Sequence, residues 1–335
     1  MFDGINSAFV AVLNWIYSWV GNYGWSVVLF TLFIRLILMP LDIKSRKGMR
    51  DMQRIQPKVA ALQQKYANDK DKLNQKTMEL YKKENVSMSA GCLPLLIQYP
   101  ILIFMFTAMR VVANEHTVQM ILDIQNGITP TLQSWLWIKN VFQPDSFMST
   151  ILPAFGDQLQ AITQVSYSKI LTAENIEAAR TFLSSEAYSN FLVTNGYAGA
   201  FQQIQLNFGF VAPLITLPTS ITALLNSANG LFILPILAAV SQFFMTKIMN
   251  ATSGQTKEEK ELAEANAAQN TMNSGFMKWF FPLFSLWICA TSNAAFSIYW
   301  MTVNVIAIVQ TVGINKYFDA QDAKKAAAEA AELTK

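Results

Sequence analysis

A run of 37 uncharged residues, 279–315, constrains the fold of this chain more than any other feature. About 20 apolar residues cross the hydrocarbon core of a bilayer once, so the run is too long for a single crossing. A Thr-Ser-Asn break at 291–293 interrupts it. We therefore predict two transmembrane helices, 276–291 and 294–313, joined by a tight turn. Divided at this break, the uncharged run leaves each half roughly 16 to 18 residues, or about 25 Å, which is short for a core of about 30 Å.

Three further segments are apolar enough to span a membrane, namely 25–43, 93–112 and 231–249. The second carries Pro94 and Pro100, which transmembrane helices tolerate because neighbouring groups satisfy the freed backbone. The composition agrees, with 52% hydrophobic and 14% charged residues against about 25% charged residues in soluble domains. We predict an all-α membrane protein with five transmembrane helices.

The distribution of basic residues predicts the orientation. Twelve bases and five acids lie in 44–91, so this segment is expected in the cytoplasm. Segment 113–230 has three bases and seven acids and is expected outside. Lys247, Lys278 and Lys316 fall at helix ends that would face the cytoplasm. The predicted cytoplasmic parts are 44–91, 250–275 and 314–335, with the N-terminus outside.

The N-terminal segment 1–22 has apolar residues at spacings of three and four, which is typical of an amphipathic helix. Its tryptophans and tyrosines suit the boundary between lipid and water. We predict a helix over 2–20 that lies on the membrane surface. The apolar stripe consists of Phe2, Ile5, Phe9, Leu13, Ile16 and Val20.

The basic segment 44–91 is predicted to form a helical hairpin. Apolar residues follow the 3-4 spacing of a coiled-coil seam, and Ala67, Asn68 and Asp69 supply the turn, with Asn68 as the N-cap. Pro57 is expected to kink or restart the first arm. The hairpin is either a solvated structure without a partner or a surface for anionic lipid, acidic nascent chains or the ribosome. The seam residues are Met52, Ile55, Val59, Leu62, Tyr66, Leu73, Thr77 and Leu80.

Arg35 lies near the middle of the first predicted span, where an arginine costs about 2.5–3.5 kcal/mol. One explanation is an acidic partner, but the nearest acid, Asp42, falls at the cytoplasmic end of that span. The other, which we favour, is a water-filled cavity that keeps the guanidinium hydrated. Polar residues of the spans would line this cavity or form hydrogen bonds between helices. They are Thr31, Gln98, Gln242 and Asn304.

The sequence offers little for catalysis. Cys92 and Cys289 are far apart in apolar surroundings, and His116 is the only histidine. We therefore expect no metal site, no cofactor and no histidine-based triad. No Gly-rich phosphate-binding motif occurs, so nucleotide hydrolysis is not expected, and the chain is predicted not to be an enzyme. The net charge of +3 does not indicate a specific nucleic-acid partner.

Six stretches occur in this order along the chain: TLFIRLILMPL, MQRIQPKVAALQQKY, GCLPLLIQYPILIFMF, SWLWIKNVFQPD, LFILPILAAVSQFF and IYWMTVN. Together they resemble the YidC-type membrane protein insertases of the Oxa/Alb superfamily. The resemblance implies five core helices around a hydrophilic groove that is open to cytoplasm and lipid but closed outside. It also implies a bacterial cytoplasmic membrane, nascent membrane proteins as substrates, and insertion without nucleotide, alone or with the Sec translocon.

The resemblance assigns roles to several residues. Arg35 matches the groove arginine, 49–84 matches the substrate-receiving hairpin, and Tyr299 and Trp300 match an aromatic pair near the substrate exit path. Gln98 and Asn304 occupy family-like polar positions. In many relatives a glutamine stands where this chain has Met245, one turn after Gln242. The insert 154–230 has no assigned role, and the tail lacks the basic extension that some members use to bind ribosomes.

Two other functional classes remain. A channel or small-solute transporter would have inverted repeats or several ionisable groups inside the membrane, and the sequence indicates neither. A scaffold would use the hairpin and the insert to assemble other membrane proteins. Depletion of the protein in cells would distinguish an insertase from a transporter. Loss of an insertase reduces newly made membrane proteins, whereas loss of a transporter removes one solute flux.

Overall fold

The computed structural model describes residues 2–86, 93–153, 159, 162–197, 201–205, 214–251 and 275–333. These residues form ten helices and one two-stranded sheet. The helices are α1 (Phe2–Val20), α2 (Tyr23–Lys65), α3 (Lys70–Lys83), α4 (Leu93–Gln125), α5 (Ala173–Leu183), α6 (Glu186–Thr194), α7 (Ile221–Ser227), α8 (Ile233–Ala251), α9 (Gly275–Thr291) and α10 (Ala294–Leu333); the strands are β1 (Phe201–Gln205) and β2 (Leu214–Pro218).

Three of the described helices are long and apolar enough to cross a membrane, over Tyr23–Met52, Tyr99–Gln125 and Ala294–Lys324. Two further apolar stretches are shorter, Ile233–Ile248 and Trp279–Thr291. The fold is thus mainly helical and of the multi-pass membrane type. Each of the five segments overlaps a span predicted from the sequence, although the bounds differ, and five crossings remain a proposal.

The last helix corrects one prediction. α10 does not end near residue 313 but runs for 40 residues from Ala294 to Leu333. The described part of the predicted cytoplasmic tail 314–335 therefore continues the helix of the fifth span, and where the span itself ends stays a prediction. The Ala-rich, charge-balanced sequence after Lys316 contains strong helix formers and no stop signal, so nothing ends the helix there. The fourth predicted span, α9, has 17 residues and is short.

The first span and the first arm of the hairpin are one helix. α2 runs for 43 residues through Pro40 and Pro57 without a break in its assigned helix. One expectation was that a new helix would begin at Pro57, but α2 continues through this residue. Each proline removes one backbone hydrogen bond, which a helix of this length tolerates when its neighbours continue the ladder.

The hairpin continues from α2 into α3. Asp69, not Asn68, is the N-cap of α3, and its carboxylate accepts a hydrogen bond from the backbone N–H of Lys72 at 3.1 Å. Lys58 of the first arm donates a hydrogen bond to Glu84 at the end of α3. Ile55 and Val59 are buried, and the remaining seam residues are partly buried, namely Met52, Leu62, Tyr66, Leu73, Thr77 and Leu80.

The chain divides into two compact units, each with residues from several helices. The first comprises Met1–Leu32, Leu102–Ala239 and Phe284–Thr302. The second comprises Phe33–Ile101, Val240–Leu283 and Val303–Lys335. Fully buried side chains form the core of the first unit, among them Leu13, Phe30, Met105, Met109, Ile121, Ile138, Leu152 and Phe296.

The insert 154–230 belongs to the first unit, and its described part contains a pair of short helices. Thr172 and Ser185 cap α5 and α6 with their hydroxyl groups. Tyr188 of α6 is buried and donates a hydrogen bond to the carbonyl of Pro153 at 2.7 Å. Burial raises the pKa of its phenol. β1 and β2 pair antiparallel with Phe201 opposite Pro218, so a small sheet accompanies the predicted helices.

Candidate functional site

Arg35 has an acidic partner. Its residue is only 8% exposed, and its Nη1 lies 3.6 Å from Oδ2 of Asp42. The two residues are seven positions apart on α2, so their Cα atoms are separated by about 10.5 Å along the axis. The arginine side chain must therefore run along the helix towards Asp42. The expectation of a guanidinium without a carboxylate partner is wrong, because the long arginine side chain spans two turns.

Arg46 belongs to the same helix face. Residues 35, 42 and 46 differ by seven and eleven positions, which places all three within about 20° of one direction around an α-helix. Arg46 is partly buried and interacts electrostatically with both Asp42 and Arg35. The cluster thus contains two guanidinium groups and one carboxylate, within the candidate span Tyr23–Met52. We name these three residues the α2 charge cluster.

Several buried polar atoms of the second unit have no hydrogen-bond partner among the described residues. They belong to α2 and α10 and are Asp42 Oδ2, Ser45 Oγ, Gln310 Oε1 and Asn315 Nδ2. Buried polar groups are nearly always hydrogen-bonded, and groups without a protein partner usually bond to ordered water. Partners of these four atoms would therefore have to come from outside the described residues.

The other residues predicted for the groove have different surroundings. Thr31 is buried in the first unit, and its hydroxyl donates a hydrogen bond to Val27 of its own helix at 2.7 Å. Asn304 of α10 donates a hydrogen bond to Ser241 of α8 at 3.1 Å. Asn304 therefore forms a hydrogen bond between helices, which was one of the two roles expected of these polar residues. Gln242 follows Ser241 and is partly buried. The side chain of Gln98 lies outside the described part of the chain.

Tyr299 and Trp300 are buried in the first unit, at 2% and 9% exposure. The indole N–H of Trp300 donates a hydrogen bond to Ser285 of α9 at 3.0 Å. Phe296 lies against both rings, with centroid distances of 6.0 and 5.7 Å. In this structure the pair therefore packs within the protein, and its predicted role on an exit path remains a proposal.

Sequence reasoning missed a buried polar network in the first unit. Asp145 is fully buried, and its carboxylate accepts hydrogen bonds from the backbone N–H groups of Leu231, Phe232 and Leu234. It thereby caps the N-terminus of α8 from a distant segment, where a negative charge is favoured by the helix dipole. The indole of Trp137 also donates to Asp145. In the sequence, this role was indicated only by the position of Asp145 at the end of the family-like stretch SWLWIKNVFQPD.

The same loop, residues 131–153, contacts the beginnings of three apolar helices. Asp145 caps α8, and the carbonyls of Gln143 and Val141 accept hydrogen bonds from the first N–H groups of α10, at Ala294 and Ala295. Gln133 accepts a weaker bond from the N–H of Tyr23, where α2 begins. The N-termini of α2, α8 and α10 therefore lie at the same end of this unit, and protein groups satisfy N–H groups of their first turns. We name residues 131–153 the capping loop.

Lys139 extends the capping loop towards α7. Its ammonium donates a hydrogen bond to the carbonyl of Leu225 at 2.6 Å. Partial burial lowers the pKa of Lys139, because the charged form loses hydration. Lys139 thus binds the capping loop to α7 near the end of the insert. Other residues of the loop bind the beginnings of α2, α8 and α10.

The base of the hairpin contacts α10 within the second unit. Arg50 of α2 forms ion pairs with Asp319 and, at 3.2 Å, with Asp322. The guanidinium also lies 5.9 Å from the centre of the Phe318 ring, within the range of a cation–π interaction. Phe318, Asp319 and Asp322 all lie beyond residue 313, so the continuation of α10 carries these contacts with Arg50.

The apolar helices define a multi-pass membrane protein. Residues 15–192 and 199–322 match the family described as 60Kd inner membrane protein. The chain therefore belongs to this family, that of the YidC-type membrane protein insertases.

Curated relatives named Membrane protein insertase YidC share parts of the sequence. That of Fusobacterium nucleatum is 38% identical over 153 residues, which cover 46% of this chain and 66% of the relative. That of Leptospira interrogans is 36% identical over 159 residues, 46% of this chain and 23% of the relative. That of Legionella pneumophila is 45% identical over 102 residues, 30% of this chain and 18% of the relative. The matched segments thus span less than two thirds of these relatives.

Proposed function

We propose that this chain is a membrane protein insertase that integrates newly made membrane proteins through a hydrophilic groove containing Arg35. Membership of the family and the names of the curated relatives support the activity. The observation that carries the proposal is the buried Arg35, which lies near the middle of the first predicted span and pairs with Asp42 at the cytoplasmic end of that span. A charged group at such depth usually marks a substrate or ion pathway.

The proposed groove is hydrated and is reached from the cytoplasm and from lipid. The polar atoms of Asp42, Ser45, Gln310 and Asn315 that have no hydrogen bond among the described residues support hydration, since hydrocarbon cannot satisfy them. Gln98, Gln242 and Asn304 are proposed to contribute further polar groups, with Thr31 one turn before Arg35. The net positive charge of the cluster attracts an acidic or polar segment that would otherwise enter hydrocarbon.

The groove is proposed to be closed on the outside, as the family resemblance implies. Within the first unit, the capping loop binds the beginnings of α2, α8 and α10, so these helices start at one end, which is proposed to face the outside. The proposed orientation has the N-terminus outside and the C-terminus in the cytoplasm. In that orientation, α1 lies on the outer membrane surface, where Trp15 and Trp19 are exposed.

The hairpin is proposed to capture the nascent substrate, which is then released sideways into lipid. The hairpin carries an excess of bases, which suits acidic nascent chains, anionic lipid and the ribosome. The hydrophobic part of the substrate then leaves sideways into lipid past Tyr299 and Trp300. α9 has 17 residues, about 25 Å, so a locally thinned bilayer would shorten the passage of the polar segment. No nucleotide or cofactor is required, and the Sec translocon is a proposed partner.

A reconstituted insertion assay tests the proposal. The purified full chain is placed in liposomes of phosphatidylethanolamine and phosphatidylglycerol with a single-span substrate whose translocated tail is acidic. Arg35→Ala is expected to abolish most insertion, and Arg35→Lys to retain part of it because a charge remains. Arg180→Ala is the matched control, since this arginine belongs to the insert and binds the carbonyls of Leu159 and Ile162. Full insertion by Arg35→Ala would remove Arg35 from the mechanism.

The α2 charge cluster also favours a second candidate, a channel or solute transporter. Several ionisable groups within one candidate span were the feature expected of that class. The same liposomes discriminate between the two, since a transporter carries solute without a protein substrate. Solute flux that Arg35→Ala abolishes, without any insertion by the native chain, would favour the transporter.

A further inference from the structure

We infer that Asp42 is a specificity-determining residue of the groove, which competes with acidic segments of the substrate for Arg35. This inference rests on the proposed function, because it concerns the same arginine. It goes further in naming a residue of the chain that occupies the arginine when no substrate is bound and that sets which substrates can displace it.

The geometry of the pair suits displacement. Arg35 Nη1 and Asp42 Oδ2 lie 3.6 Å apart, beyond hydrogen-bond distance, and Asp42 Oδ2 accepts no hydrogen bond from any described residue. The contact is therefore an ion pair without the directional bonds that make bidentate arginine–carboxylate pairs strong. A substrate carboxylate that approached Arg35 with better geometry would gain those bonds.

The exposure of the two side chains is unequal. The side chain of Asp42 is 26% exposed, whereas that of Arg35 is 10% exposed. Although its Oδ2 atom is buried, the side chain of Asp42 is thus nearer to solvent than that of Arg35, so the carboxylate leaves the pair at a lower cost in hydration than the arginine. Exchange of carboxylates at a stationary guanidinium is the favoured movement.

Arg46 provides a second partner for the displaced carboxylate. It follows Asp42 by four residues, a spacing at which side chains of a helix meet, and it interacts electrostatically with Asp42. Asp42 therefore interacts with both guanidinium groups. When a substrate carboxylate takes its place at Arg35, Asp42 keeps the attraction of Arg46. A neutral polar segment has no charge with which to displace Asp42 from Arg35.

The test compares two substrates that differ only in the translocated tail, one acidic and one with Asn and Gln in place of the acids. Asp42→Asn removes the competitor, so the apparent affinity for the acidic tail should rise by about three- to tenfold, with little change for the neutral tail. Asp42→Glu should behave like the native chain. Glu332→Gln, which removes one exposed acid at the far end of α10, controls for net charge. Concentration-dependent insertion into the same liposomes is the measurement.

A second variant keeps the inference testable if Asp42→Asn folds poorly. Arg46→Gln removes the alternative partner, so Asp42 should bind Arg35 more persistently and insertion of the acidic tail should fall several-fold relative to the neutral tail. Equal effects on both tails, or no effect in either variant, would overturn the inference. That failure is distinct from failure of the proposed function, which would appear as full insertion of the acidic tail by Arg35→Ala.

Discussion

Asn140 and Asn229, which are 89 residues apart, form a reciprocal pair of hydrogen bonds inside the protein. The backbone N–H of Asn140 donates to the side-chain oxygen of Asn229 at 2.8 Å, and the amide of Asn229 donates to the carbonyl of Asn140 at 2.9 Å. The same amide donates to the carbonyls of Gln143 and Pro144. One buried side chain thus fixes the capping loop to the segment that leads into α8, across the whole insert.

Removal of this side chain should destabilise the protein strongly. Asn229→Ala would leave buried backbone groups of the capping loop without partners, and we expect a loss of about 3 kcal/mol in the free energy of unfolding. Asn74→Ala, at an exposed position of α3, should change it by less than about 0.5 kcal/mol. Chemical denaturation in detergent micelles gives both values. Equal midpoints for the two variants would show that the network contributes little.

Gly24 should tolerate no side chain. A Cβ atom built at this position in α2 collides with the side chain of Trp135 in the capping loop. Gly24→Ala should therefore displace Trp135 and cost about 1–3 kcal/mol. Gly4→Ala is the matched control, because its Cβ would meet nothing within 4 Å and alanine favours the helix. Thermal unfolding checks the pair, and a Gly24→Ala variant as stable as the control would contradict the close approach.

The ion pair between the arms of the hairpin should respond to acid. Lys58 donates a hydrogen bond to Glu84 and holds the pKa of that carboxyl below its ordinary value. A group whose pKa is lowered by folding stabilises the fold above its ordinary pKa and loses this contribution as the pH falls further. Protection of α3 from hydrogen exchange should therefore decline below about pH 4.3, the usual glutamate pKa.

Glu84→Gln should remove this acid dependence and lower the protection at neutral pH. Glu79→Gln is the control, since Glu79 pairs with Lys76 inside α3 and does not join the two arms. If both variants retained the native pH profile of hydrogen exchange, the Lys58–Glu84 contact would not hold the hairpin closed.

The extended end of α10 should restrain the base of the hairpin. Replacing Asp319 and Asp322 together by Asn removes both acids that pair with Arg50. These groups are largely exposed, so we expect a loss of at most about 1 kcal/mol, which high salt reduces. Faster hydrogen exchange in the part of α2 after Arg50 is the sensitive measurement. Asp71→Asn, an exposed acid at the start of α3, should leave that exchange unchanged.

Local periodicity predicted several elements well. The apolar stripe of the N-terminal segment predicted a helix over 2–20, which is the range of α1. Every predicted residue of the hairpin seam is buried or partly buried in the structure. These features depend on residues three and four positions apart, so they can be read directly from the chain.

Other contacts were missed because they depend on the direction of a side chain or on the point where a helix begins. Asp42 was set aside because it falls at the end of the first predicted span, seven residues from Arg35. The pairing depends on the direction of the long arginine side chain, which the spacing of residues does not give. Asn and Asp both suit an N-cap, so residue type does not distinguish Asn68 from Asp69. The helix start at Lys70 makes Asp69 the cap.

The sequence by itself determined that the chain is helical and apolar enough to enter a membrane, and which family it belongs to. Hydrocarbon accepts neither unpaired backbone groups nor many charges, so the lengths of uncharged segments fix these properties along one dimension. Only the tertiary structure decided that Asp145 caps α8, that Asn229 binds the capping loop, and that Arg35 extends towards Asp42. These contacts depend on the folded path of distant segments and on the direction of a long side chain, neither of which periodicity encodes.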